Sequence, residues 1–164
     1  MKKTFFIFCL SLFVITSRAQ NRTELGGNFG IQFGRLTLIE ISPRLGYWFT
    51  DYLVGGVGTS LIFMDDDREG GFTGSIYSVS IFSRLYPAYN YYLQGEYVKV
   101  NTALPAGGGV VYRIWSEGLL LGVGYVQLLG GNSSLNVSLL WDVIGQKNFP
   151  YSNPIINAGI VTRF

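Results

Sequence analysis

From residue 23 to the end of the chain, apolar side chains alternate with polar or small ones at period two, the repeat of a β-strand and not of a helix. The alternation predicts eight strands, at 23–33, 36–49, 52–64, 73–86, 90–101, 118–128, 134–144 and 155–164. Each runs to about ten residues or slightly more, the length a tilted strand needs to cross a bilayer. In the second strand Ile39, Ile41, Leu45, Tyr47 and Phe49 share one face, while Glu40, Ser42, Arg44 and Gly46 share the other. The seventh sets Leu135, Val137, Leu139, Trp141 and Val143 against Asn136, Ser138 and Asp142. The eighth sets Ile156, Ala158, Ile160 and Phe164 against Asn157, Gly159 and Arg163. The segment 107–115, "GGGVVYRIW", fits either a long loop or an extension of the adjoining strands.

Alternation alone does not say which face is wet. A soluble barrel buries its apolar face, whereas a membrane barrel turns that face to lipid around a polar lumen. Aromatic placement breaks the tie. Tyr47, Trp48, Phe49 and Tyr52 cluster at one turn, Tyr86, Tyr89, Tyr91 and Tyr92 at another, and Phe164 stands at the last position. An up-and-down path brings all three clusters to one rim, as expected of an interfacial girdle. Turn length agrees: connections at that rim (50–51, 87–89, 129–133) are short, and those at 65–72, 102–117 and 145–154 are longer and more polar.

The opening residues, "MKKTFFIFCLSLFVITSRAQ", have the layout of a cleavable signal peptide. Lys2 and Lys3 precede an apolar run from Thr4 to Thr16, too short to span a bilayer as a helix. Small residues at Ser17 and Ala19 place cleavage after Ala19, giving a signal over 1–19 and a barrel domain over 20–164. Cys9 lacks the small residues that usually precede a lipidated cysteine. Removing Lys2, Lys3 and Arg18 from the 12 basic residues leaves 9 against 10 acidic ones, a net charge of about −1. The chain's formal charge of +2 is thus supplied by the signal, and nothing favours nucleic-acid binding. Charged residues make up only 13% of the chain, against roughly a quarter in ordinary soluble domains.

These features resemble the small eight-stranded OmpA/OmpX-like outer-membrane barrels of Gram-negative bacteria. The resemblance is carried by "ISPRLGYWFTDYLVGGVG", "LQGEYVKVN" and "LLWDVIGQKNFPYSNPIINAGIVTRF". It implies an all-β fold, an eight-stranded antiparallel up-and-down transmembrane barrel, sited in the bacterial outer membrane among its lipids. It also implies that Phe164 is read as a signal by the outer-membrane assembly machinery.

The face assignment sends Glu40, Glu96 and Asp142 inward with Arg44, Arg84 and Arg163, a balanced charge network that rigidifies the lumen. Arg44 is expected to pair with Glu40, ahead of Glu96 or Asp142. Eight strands leave space for side chains and little else, so an open porin is disfavoured. No cofactor or metal motif stands out. In "DDDREGG" at 65–71, Asp65, Asp67, Glu69 and Gly70 resemble half of a calcium loop, but position twelve is Ile76; the stretch reads as a solvated hairpin tip. The lipid A deacylases and palmitoyl transferases built on such barrels use a His–Ser arrangement, and this chain has no His. The expected role is structural or surface-interacting, without enzymatic activity. The alternatives are a soluble, secreted, lipocalin-like barrel for a small apolar ligand, or an envelope lipid-modifying enzyme.

Overall fold

The computed structural model describes residues 22–32, 37–65, 74–107, 110–146, 149–151 and 153–164. The signal segment 1–19 and most of the acidic stretch 65–69 lie outside the described residues. Eight antiparallel strands close into one barrel in sequence order: β1 (Thr23–Gln32), β2 (Thr37–Trp48), β3 (Leu53–Asp65), β4 (Gly74–Ala88), β5 (Tyr91–Gly107), β6 (Val110–Gly130), β7 (Ser133–Asp142) and β8 (Ile155–Arg163). Closure is made by β1 against β8, from Glu24↔Arg163 to Asn28↔Gly159. Below that ladder the Phe164 amide donates to the Thr23 carbonyl at 2.8 Å. A closed ladder leaves no strand edge along its paired length.

The segment 107–115 extends the adjoining strands. β5 runs to Gly107 and β6 starts at Val110, with Ala103↔Arg113 and Thr102↔Ile114 in register. The long loop expected over 102–117 is therefore a tall two-stranded projection, and among the described residues no ninth strand interrupts the count. Alternation continues through "VYRIW", which is why pairing continues there.

One end of the barrel carries tight turns. Tyr89 and Asn90 alone separate β4 from β5, and Gly131 and Asn132 separate β6 from β7. Gly130 and Gly131 sit at φ of 111° and 58°, the left-handed region that glycine enters without steric penalty. Pro87, which cannot donate to a ladder, falls where the β4–β5 register shifts between Leu85 and Ala88. The other end carries the longer hairpins.

Inside and outside are inverted relative to a soluble barrel. Leu25, Leu45, Val57, Ile81, Leu93, Val123 and Ile160 are about half exposed on the outer wall, whereas Glu24, Arg84, Gln94 and Glu96 are buried within. Small inward residues make the room. A Cβ at Gly46 would press on the Glu24 side chain, and one at Gly124 would collide with the Tyr92 ring. Gly124→Val should therefore lose about 1–3 kcal/mol through overpacking, read as a lower urea midpoint. Gly95→Val, on the outer wall with only Leu121 in ordinary contact, is the control and should be near neutral. Equal losses in both would show that lumen space is not what the inward glycines provide.

Candidate functional site

The lumen is built in three layers. Nearest the short turns, Trp48, Val54 and Phe82 form an apolar cluster with Tyr86 against it. Towards the long hairpins, Ile62, Ile76, Val98, Val100, Leu120 and Leu140 form a second. A charged layer lies between them.

The charged layer is one connected network. Arg44 makes a two-pronged contact with Glu96, Nη1 to Oε2 at 3.0 Å and Nη2 to Oε1 at 3.1 Å. Gln94 donates from Nε2 to the same Glu96 Oε2 at 2.8 Å and accepts from Arg84 Nε at 3.1 Å. Arg84 Nη1 then reaches Glu24 Oε1 at 3.1 Å, and Trp48 Nε1 donates to Glu24 Oε2 at 3.0 Å. Phe82 lies under both guanidinium groups, with its ring centroid 4.8 Å from Arg84 Cζ and 5.6 Å from Arg44 Cζ. Strand register sets this order, since Phe82 pairs with Glu96 and Arg84 with Gln94 on adjacent strands. Buried charges persist when paired and hydrogen-bonded in this way.

Of the six charged residues expected in the lumen, Arg44, Arg84 and Glu96 join the network. Arg44 takes Glu96 as partner, not Glu40, whose Oε1 accepts from the Ser42 hydroxyl. Asp142 does a different task. Its carboxylate accepts from the amides of Leu119, Ile144 and Gly145, fixing the chain as it leaves β7. Arg163 is exposed at the rim with its Cζ 3.6 Å from the Trp48 ring centroid. Glu24 is the acid that the sequence reading missed, although it alternates with Leu25 at the start of β1 and faces inward by that parity.

The girdle also needs correction. Tyr47, Phe49, Tyr52, Tyr89, Tyr91 and Phe164 are exposed on the outside near the short turns. Trp48 and Tyr92 are buried in the lumen, and Tyr86 stacks on Trp48 at 5.0 Å between centroids. Strand parity puts Trp48 on the face of Arg44 and Tyr86 on the face of Arg84. Proximity to a turn is a weaker guide than parity. Tyr77, Tyr97, Trp115 and Trp141 are also exposed on the outer wall, at different heights above the short turns.

The connection after β7 does not simply display itself to solvent. Phe149 and Tyr151 turn inward and pack on the upper apolar cluster. Between Tyr151 and the Arg44–Glu96 pair, lined by Ser42, Ser60 and Ser78, remains a polar cavity of about 40 Å³. That is room for about two or three waters. Among the described residues the interior is a charged middle layer with an apolar cluster on either side of it. Among the described residues, no group of three or more His, Cys, Asp and Glu is placed to hold a metal. A lipocalin-like pocket would require an apolar interior, and the middle of this interior is charged.

The barrel superimposes on two solved outer-membrane proteins. One is the N-terminal β-barrel domain of Pseudomonas aeruginosa OprF, with a TM-score of 0.55, 17% identity, and 88% of this chain and 98% of that one covered. The other is the Yersinia pestis outer membrane protein Ail in a phospholipid bilayer nanodisc, with a TM-score of 0.57, 12% identity, and 88% and 100% covered. The chain has the fold of the small outer-membrane barrels. No protein-family model matches the sequence, and no curated protein matches it. At these identities the likeness is one of architecture, so the lumen chemistry above belongs to this chain's own residues.

Proposed function

We propose that this protein is an integral outer-membrane barrel, exported by a cleaved signal over 1–19, that serves a structural or surface-interaction role. The observation that carries the reading is the inverted polarity: apolar side chains exposed around the outer wall, with a group of exposed aromatics near the short turns, over a buried and paired charge network. In water such a wall would be an aggregation surface, whereas in hydrocarbon it is the required one. The short turns then face the periplasm and the long hairpins face outward, with the β5–β6 projection rising on that side. The outward ring of Phe164 and its backbone closure on Thr23 suit the assembly-signal role expected of it. The filled lumen argues against a porin. An enzymatic role finds no support in a chain without histidine whose buried carboxylates are engaged by guanidinium groups, an indole or backbone amides.

Fractionation tests this. The protein should stay with membranes through carbonate and urea washing, and unheated samples in detergent should migrate differently from boiled ones, because a closed ladder has no edge from which to unzip. Release by washing, with identical migration before and after boiling, would refute the proposal.

A further inference from the structure

We infer that the outer wall carries a specific site for one acyl chain of a lipid with a net-negative headgroup, lying in the leaflet on the long-hairpin side. The inference rests on the membrane reading above and concerns a groove of about 680 Å³ on the outside of β1–β5.

Register explains the groove. Around the outside, Gly27 pairs with Pro43, Thr59 with Val79, Val79 with Lys99, and Lys99 with Glu117. Pro43 and Thr59 face each other between the Ile41↔Leu61 and Arg44↔Gly58 pairs. This row is small where its neighbours are large. The row on one side carries Leu25, Leu45, Val57, Ile81 and Tyr97, and the row on the other carries Phe29, Ile41, Leu61 and Tyr77. The groove is the dent between two ridges.

Its floor is apolar although it includes a threonine. The Thr59 hydroxyl donates to the Ser78 carbonyl at 2.8 Å, which leaves its methyl for the groove, and Pro43 has no N–H to present. A flexible chain laid there meets no unsatisfied polar group. The row also climbs. Gly27 is four residues from the short-turn end of β1, Lys99 eight from that end of β5, and Glu117 thirteen from that end of β6. A chain in the groove therefore descends from the level of Lys99 towards the bilayer middle, the attitude of a lipid anchored on the long-hairpin side.

The upper end of the groove selects charge. Lys99 Nζ contacts Glu117 Oε1 at 2.9 Å, but both side chains are roughly half exposed, and such surface pairs are held weakly. Arg113, farther up β6, lies over the Tyr77 ring at 4.1 Å and donates to Asn101 and Ser75. Lys99, Glu117 and Arg113 together carry one net positive charge at the upper end of the groove, where Arg113 reaches down β6 to Tyr77 and to Asn101, two residues beyond Lys99. A phosphate diester with no compensating cation complements this cluster, and a zwitterionic headgroup does so less.

The test uses the mature barrel in nanodiscs of phosphatidylglycerol and phosphatidylcholine with identical chains, releasing it for native mass spectrometry. One retained lipid per barrel is expected, enriched about fivefold in phosphatidylglycerol over the disc composition. Thr59→Phe, with Val79→Phe as a second filler of the same row, should remove the retained lipid while keeping the heat-dependent migration shift. Lys99→Gln combined with Arg113→Gln should keep a retained lipid but lose the enrichment. Undiminished retention in both filled variants overturns the site, and enrichment that survives the loss of both cations overturns the headgroup assignment. A wild-type barrel that enters discs but retains no lipid refutes the groove alone. Failure to enter discs at all refutes the membrane reading.

Discussion

Arg84→Ala should destabilise the barrel by about 3–5 kcal/mol, the cost of leaving one member of a buried ion pair behind. Glu24 would lose the guanidinium 3.1 Å from its Oε1 and retain only the Trp48 indole as its partner in the network. Gln94 would lose its link to Arg84, and Phe82 and Tyr92 would lose the cation held over their rings. Arg84→Met combined with Glu24→Gln should be markedly more stable than Arg84→Ala, because no uncompensated charge remains. Urea unfolding in lipid vesicles measures both. A double variant no better than the single one would show that the pair is not what holds this layer. The same cycle should find Arg44 coupled to Glu96 and additive with Asp142. Lys99→Ala, which breaks an exposed pair on the outer wall, should cost at most about 1 kcal/mol.

The second large effect comes from the wall. Leu45 and Phe49 are similarly exposed, at 50% and 58%, and stand four positions apart on the outward face. At about 3.3 Å per residue along a strand tilted near 40°, Leu45 lies roughly 10 Å deeper than Phe49. Leu45→Arg should cost about 2–4 kcal/mol in a bilayer, and Phe49→Arg about 0–1 kcal/mol. A water-soluble barrel would treat two equally exposed positions alike. Equal costs measured in vesicles would therefore count against the depth assigned to the wall.

Much of this architecture was legible because alternation writes the two faces directly into the chain. The strands, the turn asymmetry and the inward direction of Arg44, Arg84 and Glu96 follow from parity alone. Parity also placed Trp48 and Tyr86 inside, but their closeness to turns suggested a girdle. The lumen had need of them, since their rings fill the space beneath the charged layer and Trp48 supplies a donor to Glu24. The pairing of Arg44 with Glu96 was not readable. These residues sit on β2 and β5, which are not neighbours in the sheet, and their approach depends on the curvature of the closed barrel. Nor was the inward turn of Phe149 and Tyr151, which is decided by the apolar cluster at the mouth and by Gly118, where a Cβ would clash with the Phe149 ring. Local pattern specifies a strand well. It does not specify what a loop will find to pack against.

The central claim is that a polar, filled lumen stands inside a wall immersed in lipid. Single nitroxide labels along β7, at 137 to 141, where no inward position is a glycine, test it most directly. The chain's one cysteine, Cys9, lies in the segment proposed to be cleaved, so each label site is unique in the mature protein. In vesicles, positions 137, 139 and 141 should be relaxed strongly by oxygen, which concentrates in hydrocarbon, and weakly by a water-soluble nickel chelate. Positions 138 and 140 should be shielded from both. A period-two pattern in which the outward positions answer to the nickel chelate would place that wall in water and contradict the account.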